Sequence, residues 1–111
     1  RLLLCTGKIY YDLLEVREEN KIKNVAIVRI EQLYPFPQTQ IDVILKDYTK
    51  AEKYWVQEEP QNMGAWSFML GYMRKVDIDP ISRPASASPA TGYKKKHDMQ
   101  QAEIINTALG L

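Results

Sequence analysis

The chain has one cysteine and one histidine in 111 residues, and almost no surplus charge, since 15 Lys plus Arg stand against 14 Asp plus Glu. A lone Cys5 cannot close an internal disulfide, and its place in Leu2-Leu3-Leu4-Cys5 suits a small buried side chain rather than a reactive thiol. Cys5 and His97 lie at opposite ends of the chain, so no metal-ligand spacing is visible and no metal is expected. A net charge of +1 gives no long-range field that would gather nucleic acid or anionic lipid. Apolar runs stop at about four to six residues, far short of the ~20 that cross a bilayer, and no signal-peptide pattern is present. The expectation is a soluble, intracellular protein with neither nucleic acid nor membrane as partner.

Phosphate-binding glycine loops are missing as well. Neither G-x-G-x-x-G nor a P-loop occurs, because the turn Thr6-Gly7-Lys8 contains no further glycine, and no serine sits on a G-x-S-x-G elbow. What remains has an ordinary globular composition, 45% hydrophobic and 26% charged, in a length that encloses one core. A single domain over residues 1–111 is expected. An apolar strand that starts at Leu2 with no lead-in gives the expectation of a piece of a longer polypeptide.

Periodicity supplies the elements. Leu2 to Cys5 reads as a strand covered on both faces. From Lys8 to about Asn20, Ile9, Tyr10, Leu13, Leu14 and Val16 recur at helical spacing opposite Asp12, Glu15, Arg17, Glu18 and Glu19. Val25–Ile30 is a second strand, rich in β-branched residues. Pro37 opens a helix with Ile41, Ile44, Leu45 and Tyr48 on one face, ending near Lys50. Tyr54–Gln57 is the third strand, and Asn62 is placed to cap a third helix with the stripe Met63, Trp66, Met69, Leu70 and Met73. That stripe reads as core rather than as a cofactor box. Ile78–Ser82 reads as a short fourth strand, edge-placed or cut short by Pro80, and residues 83–92 read as an exposed loop. A last helix follows Lys94-Lys95-Lys96-His97, with Met99, Ala102, Ile105 and Leu109 on one face and Gly110 as its stop. The order β-α-β-α-β-α-β-α predicts an α/β fold in three layers, helices on both faces of a mostly parallel sheet.

Four places invite a chemical reading. Thr6-Gly7 before a helix could offer backbone N–H groups to an anion, but the motif is weak and a plain turn is the better reading. Lys94-Lys95-Lys96-His97 is either a phosphate patch or a solvated helix start. Arg83, beside a run of Pro, Ala and Ser that lets a ligand approach the backbone, is the better anion candidate. Glu58 and Glu59, in Trp55-Val56-Gln57-Glu58-Glu59-Pro60, close the third strand where α/β proteins bind ligands. Neighbours on a strand point to opposite faces, so the two carboxylates cannot share one substrate atom as an acid/base pair. One is placed to cap the following helix and the other to meet a partner surface.

Several stretches together carry a resemblance. They are Leu4-Cys5-Thr6-Gly7-Lys8-Ile9-Tyr10-Tyr11-Asp12-Leu13-Leu14, Val25–Pro37 with its Glu31-Gln32-Leu33-Tyr34-Pro35-Phe36-Pro37, and Trp55–Pro60. Asn62, Gly64-Ala65-Trp66, Arg83-Pro84-Ala85-Ser86-Ala87-Ser88-Pro89-Ala90 and Gly92 complete the set. In this order and spacing the chain resembles, over essentially all its length, the C-terminal domain of the thiamine-dependent (decarboxylating) component of 2-oxoglutarate dehydrogenase. The resemblance implies a transketolase C-terminal-like fold with a mixed, usually five-stranded sheet. It implies a bacterial cytoplasmic parent enzyme that decarboxylates 2-oxoglutarate on thiamine diphosphate with Mg²⁺ and passes the succinyl group to dihydrolipoyl succinyltransferase, in a complex with dihydrolipoyl dehydrogenase.

The family's Gly-Asp-Gly…Asn motif for diphosphate and metal is absent here, so the resemblance places catalytic, cofactor and metal residues in other domains and leaves this region inactive alone. Its implied contributions are contacts with the other domains of the same chain and with a homodimer partner, for which Glu58, Glu59 and Trp66 are the candidate interface residues. Some relatives also take acetyl-CoA as an activator beside two adjacent arginines, whereas here Arg83 precedes Pro84, leaving Arg83 with Thr6 as the candidate anion or acyl-CoA contacts. The competing expectation is a free-standing flavodoxin-like module that holds a nucleotide or acyl-CoA between Thr6-Gly7 and Arg83.

Overall fold

A computed structural model describes residues 1–85 and 94–111. Four strands and four helices alternate: β1 (Leu2–Cys5), α1 (Ile9–Glu19), β2 (Ala26–Arg29), α2 (Gln38–Asp47), β3 (Lys53–Pro60), α3 (Trp66–Tyr72), β4 (Ile78–Arg83) and α4 (Lys94–Leu109). The sheet order is β2-β1-β3-β4 and all three pairings are parallel. Among the described residues the sheet therefore has four strands and no antiparallel member, where a mixed five-stranded sheet was expected.

The central strand β1 is fully buried because both of its faces are covered. Leu3 and Cys5 face one core with Ile9 and Leu13 of α1 and Ile104, Ile105, Ala108 and Leu109 of α4. Leu2 and Leu4 face the other, with Ile41 of α2, Trp66 and Met69 of α3, and Trp55 of β3. Two helices thus lie on each side of the sheet, and the three-layer α/β/α arrangement is borne out.

Four local expectations shift. Helix α3 begins at Trp66 rather than after Asn62, and its N-cap position, Ala65, offers no side-chain cap. Leu70, expected on the buried stripe, is exposed, while Trp66, Met69 and Met73 are buried. On α4 the buried stripe is Ile104, Ile105, Ala108 and Leu109, whereas Met99 and Ala102 are exposed. Strand β3 runs three residues past Gln57, so Glu58, Glu59 and Pro60 belong to it. The strand at Ile78–Arg83 is an edge strand, and its Pro80 pairs across from Trp55 where a missing N–H on the open side costs nothing. The loop expected over residues 83–92 lies, from residue 86 on, outside the described residues.

Candidate functional site

In a sheet of this order the chain leaves β1 in one direction and returns on its other side, so the crevice at the carboxyl ends of β1 and β3 is the topological switch point. Of the residues singled out by sequence, Glu58 and Arg83 meet here, and each is bound to other protein groups. Lys8, just after β1, places its ammonium 2.5 Å from Glu58 Oε1 on β3, and Gln101 of α4 donates to the same oxygen at 2.8 Å. The Gln101 amide also reaches Asp12 Oδ2 of α1 at 3.3 Å. Helix α1, strand β3 and helix α4 are thereby tied across the crevice. The hydrogen bond to Glu58, ahead of its charge, holds the Lys8 pKa above the ordinary lysine value.

Between Val56 and Pro60 the β3–β4 register shifts, and regular pairing lapses over Gln57, Glu58 and Glu59. Backbone carbonyls near the core need other partners there. Arg83 Nη1 donates to the Glu58 carbonyl at 2.5 Å, and the Gln57 amide donates to the carbonyls of Glu59, Pro60 and Met63 at 3.3, 2.9 and 2.8 Å. Gln57 Oε1 meanwhile accepts the Trp55 indole N–H at 2.9 Å and the Trp66 backbone N–H at 3.0 Å. Among the described residues Gln57 and Arg83 are the two buried polar or charged side chains, and both are spent on this strand end. Sequence reasoning passed over Gln57. The signal was available, because a glutamine that ends an apolar strand is buried only when its amide is satisfied.

The remaining candidates fall into place around this clasp. Glu58 and Glu59 do diverge as strand alternation requires: Glu58 meets α1 and α4, while Glu59 lies over Gly64, beside α3. Gly64 has φ +67°, and a Cβ there would stand 2.8 Å from Glu59 Oε2. Thr6 donates to the Ile30 carbonyl at 2.7 Å, toward β2, so it sits on the opposite side of β1 from Arg83. Arg83 Nη2 donates to Gln101 Oε1 at 3.1 Å, and its buried Nε has no hydrogen-bond partner among the described residues. Arg83 also lines a groove of about 330 Å³ between β4 and α4, together with Gln61, Ser82, Gln100 and Thr107. Trp66 is buried in the core, and the rings that remain at the surface nearby are Phe68 and Tyr72, packed on Phe36. Lys94, Lys95 and Lys96 are exposed at the start of α4. Burial pushes the Cys5 thiol up to about 12, opposed only by Arg29.

No group of three or more His, Cys, Asp or Glu side chains among the described residues is arranged to hold a metal ion. No helix among the described residues is long and apolar enough to cross a membrane.

A profile of the family described as "2-oxoglutarate dehydrogenase C-terminal" matches residues 1–109. The chain belongs to this family. Named relatives match the chain over nearly its whole length. The chain is 47% identical to the oxoglutarate dehydrogenase of Buchnera aphidicola subsp. Baizongia pistaciae over 117 aligned residues, which cover 100% of this chain and 13% of that protein. It is 47% identical to the 2-oxoglutarate dehydrogenase E1 component of Haemophilus influenzae, covering 98% of this chain and 12% of the relative. The E1 component of Brucella anthropi is 48% identical, with 99% and 12% covered. The chain therefore spans about an eighth of the length of the curated relatives it matches.

Proposed function

We propose that this C-terminal domain serves a 2-oxoglutarate dehydrogenase E1 polypeptide as a structural and dimer-interface part and performs none of the chemistry itself. The whole polypeptide, on this reading, decarboxylates 2-oxoglutarate on thiamine diphosphate with Mg²⁺, hands the succinyl group to dihydrolipoyl succinyltransferase, and works beside dihydrolipoyl dehydrogenase in the bacterial cytoplasm. The observation that carries the reading is the state of the switch-point crevice. Lys8, Glu58 and Gln101 bridge it, and Arg83 and Gln57 are turned onto strand-end carbonyls. Side chains committed to one another in this way hold elements together; a catalytic set is aimed at a substrate. The test is 2-oxoglutarate-dependent release of CO₂ with thiamine diphosphate and Mg²⁺. The isolated 111 residues should show none, and the complete polypeptide should lose both assembly and activity when they are removed. Turnover by the isolated residues would refute it.

A second, regulatory reading rests on Arg83. Its buried Nε lacks a partner among the described residues, and the residue borders the β4–α4 groove, which fits an anion or the phosphate end of an acyl-CoA better than the Thr6 hydroxyl does, already donated to Ile30. Calorimetry with acetyl-CoA decides it: heat that disappears in Arg83→Ala supports the site, and no heat with the native chain rules it out. That same experiment bears on the free-standing flavodoxin-like module.

A further inference from the structure

The groove between β4 and α4 is lined by two side chains with unmet hydrogen-bonding capacity. Arg83 is only 6% exposed, and its Nε has no partner among the described residues. Gln100 Oε1 is likewise buried without a partner among them, and a half-turn of that amide presents its N–H groups instead. The guanidinium is a rigid planar fork, so which of its edges is taken matters. Nη1 is turned to the Glu58 carbonyl at 2.5 Å. Nε and Nη2 share another edge, the kind of two-donor edge that grips an oxyanion bidentately. On that edge Gln101 Oε1 holds Nη2 at 3.1 Å, and Nε is left over.

We infer that Gln101 is the switch through which an oxyanion in this groove loosens the clasp at the switch-point crevice. The inference rests on the regulatory reading of Arg83 above and deepens it. A phosphate or carboxylate that takes Nε and Nη2 together displaces Gln101 Oε1, because a two-point charged contact is stronger than one neutral amide acceptor. The amide of Gln101 is planar, so its oxygen and nitrogen turn together. Its Nε2 holds Glu58 Oε1 at 2.8 Å and Asp12 Oδ2 at 3.3 Å, and a turned amide gives up both. Helix α4 then loses this tie to β3 and α1, while Lys8 stays on Glu58 and Arg83 Nη1 stays on the Glu58 carbonyl. Glu103 also lines the groove, and its charge opposes the anion. Gln101 and the anion compete for one edge of Arg83, and such coupling is reciprocal: whatever weakens the hold of Gln101 strengthens the hold of the anion.

The experiment is an NMR titration of the ¹⁵N-labelled 111-residue chain with inorganic phosphate and, separately, with acetate, at an ionic strength held constant with chloride. Phosphate should move the side-chain amide signals of Gln101 and the backbone signals of Glu58 and Asp12 along one binding curve. Acetate acting on the same signals supports a site for oxyanions in general, and a response to phosphate alone supports a phosphate site. Gln101→Met removes the competitor and should tighten phosphate binding about fivefold or more. Gln101→Glu sets a carboxylate against Arg83 and should abolish it. A residue that merely propped the groove would weaken binding in both variants. Far-UV circular dichroism checks that each variant folds, and if either does not, the native titration decides alone. Binding that leaves the Gln101, Glu58 and Asp12 signals unmoved, or a folded Gln101→Met chain that binds no more tightly than the native one, overturns the inference and leaves the anion site standing. A native chain that binds neither anion, or binding that survives Arg83→Ala, overturns both.

Discussion

The side-chain oxygen of Gln57 accepts the backbone N–H of Trp66 at 3.0 Å and so caps helix α3 from the neighbouring strand. The same oxygen holds the Trp55 indole, and the same amide nitrogen serves three carbonyls. Gln57→Leu leaves buried donors and acceptors on two elements unpaired. Each such group costs about 1–3 kcal/mol, and because relaxation and water recover part, a total loss of about 2–4 kcal/mol is expected in urea unfolding. A loss below about 0.5 kcal/mol would show that Gln57 is not the cap.

Gly64→Ala should destabilise for two separable reasons. A left-handed backbone costs a residue with a Cβ about 1–2 kcal/mol, and the new Cβ would stand 2.8 Å from Glu59 Oε2. Adding Glu59→Ala should recover the steric part and leave the backbone part. A double variant no more stable than Gly64→Ala alone would put the whole cost in the backbone.

How much of this was legible in the sequence is clearest along α3 and α4. The strands and helices followed from residue type and spacing, and β1 runs over Leu2–Cys5 as its apolar run predicted. The phase of α4 did not follow. Met99 and Ala102 are apolar yet exposed, because the buried side of the helix passes through Gln101, whose amide joins Glu58 to Asp12. Hydrophobicity alone cannot place a polar residue on an inner face when its partners lie on β3 and α1. Asn62 drew the helix start forward for a related reason, since a cap supplied from Gln57 leaves no local signature. Glu58 and Arg83 were picked out, but what they bind depends on the β3–β4 register shift, which only the assembled sheet contains.

Arg83→Met removes the guanidinium donors to the Glu58 carbonyl and to Gln101. The expected loss is about 1–3 kcal/mol, and Arg83→Lys should recover little of it, because a point-charge ammonium cannot span both acceptors. Thermal unfolding of both variants checks this. A lysine variant as stable as the native chain would contradict the two-point geometry.

Breaking the Lys8–Glu58 pair from the lysine side should matter far less. The Lys8 side chain is 72% exposed, and such pairs contribute about 0.2–1 kcal/mol. Lys8→Met should therefore change stability by less than about 1 kcal/mol, and less still at high salt. The folded Lys8 pKa is raised, so whatever stability the pair adds is present below the ordinary lysine pKa of 10.5 and lost as pH climbs past it.

The Cys5 thiol gives a cleaner alkaline window. Its pKa rises from 9.0 unfolded to about 12 folded, so the fold favours the neutral thiol. That contribution is full below pH 9.0 and is lost as pH rises toward about 12. A thiol reagent at pH 8 should leave the folded chain untouched and modify it at the rate of unfolding. Rapid labelling of folded protein would contradict the burial of Cys5.

The most direct test of the central claim places Glu58→Gln in the complete polypeptide and measures kcat and subunit association side by side. Glu58 ties α1 to α4 across the crevice through Lys8 and Gln101. With the chemistry residing elsewhere, kcat at saturating thiamine diphosphate should stay within about twofold of native while association weakens. General acid/base groups contribute about 10²–10⁴-fold. A fall in kcat of that size with association unchanged would return Glu58 to the chemistry and contradict the account.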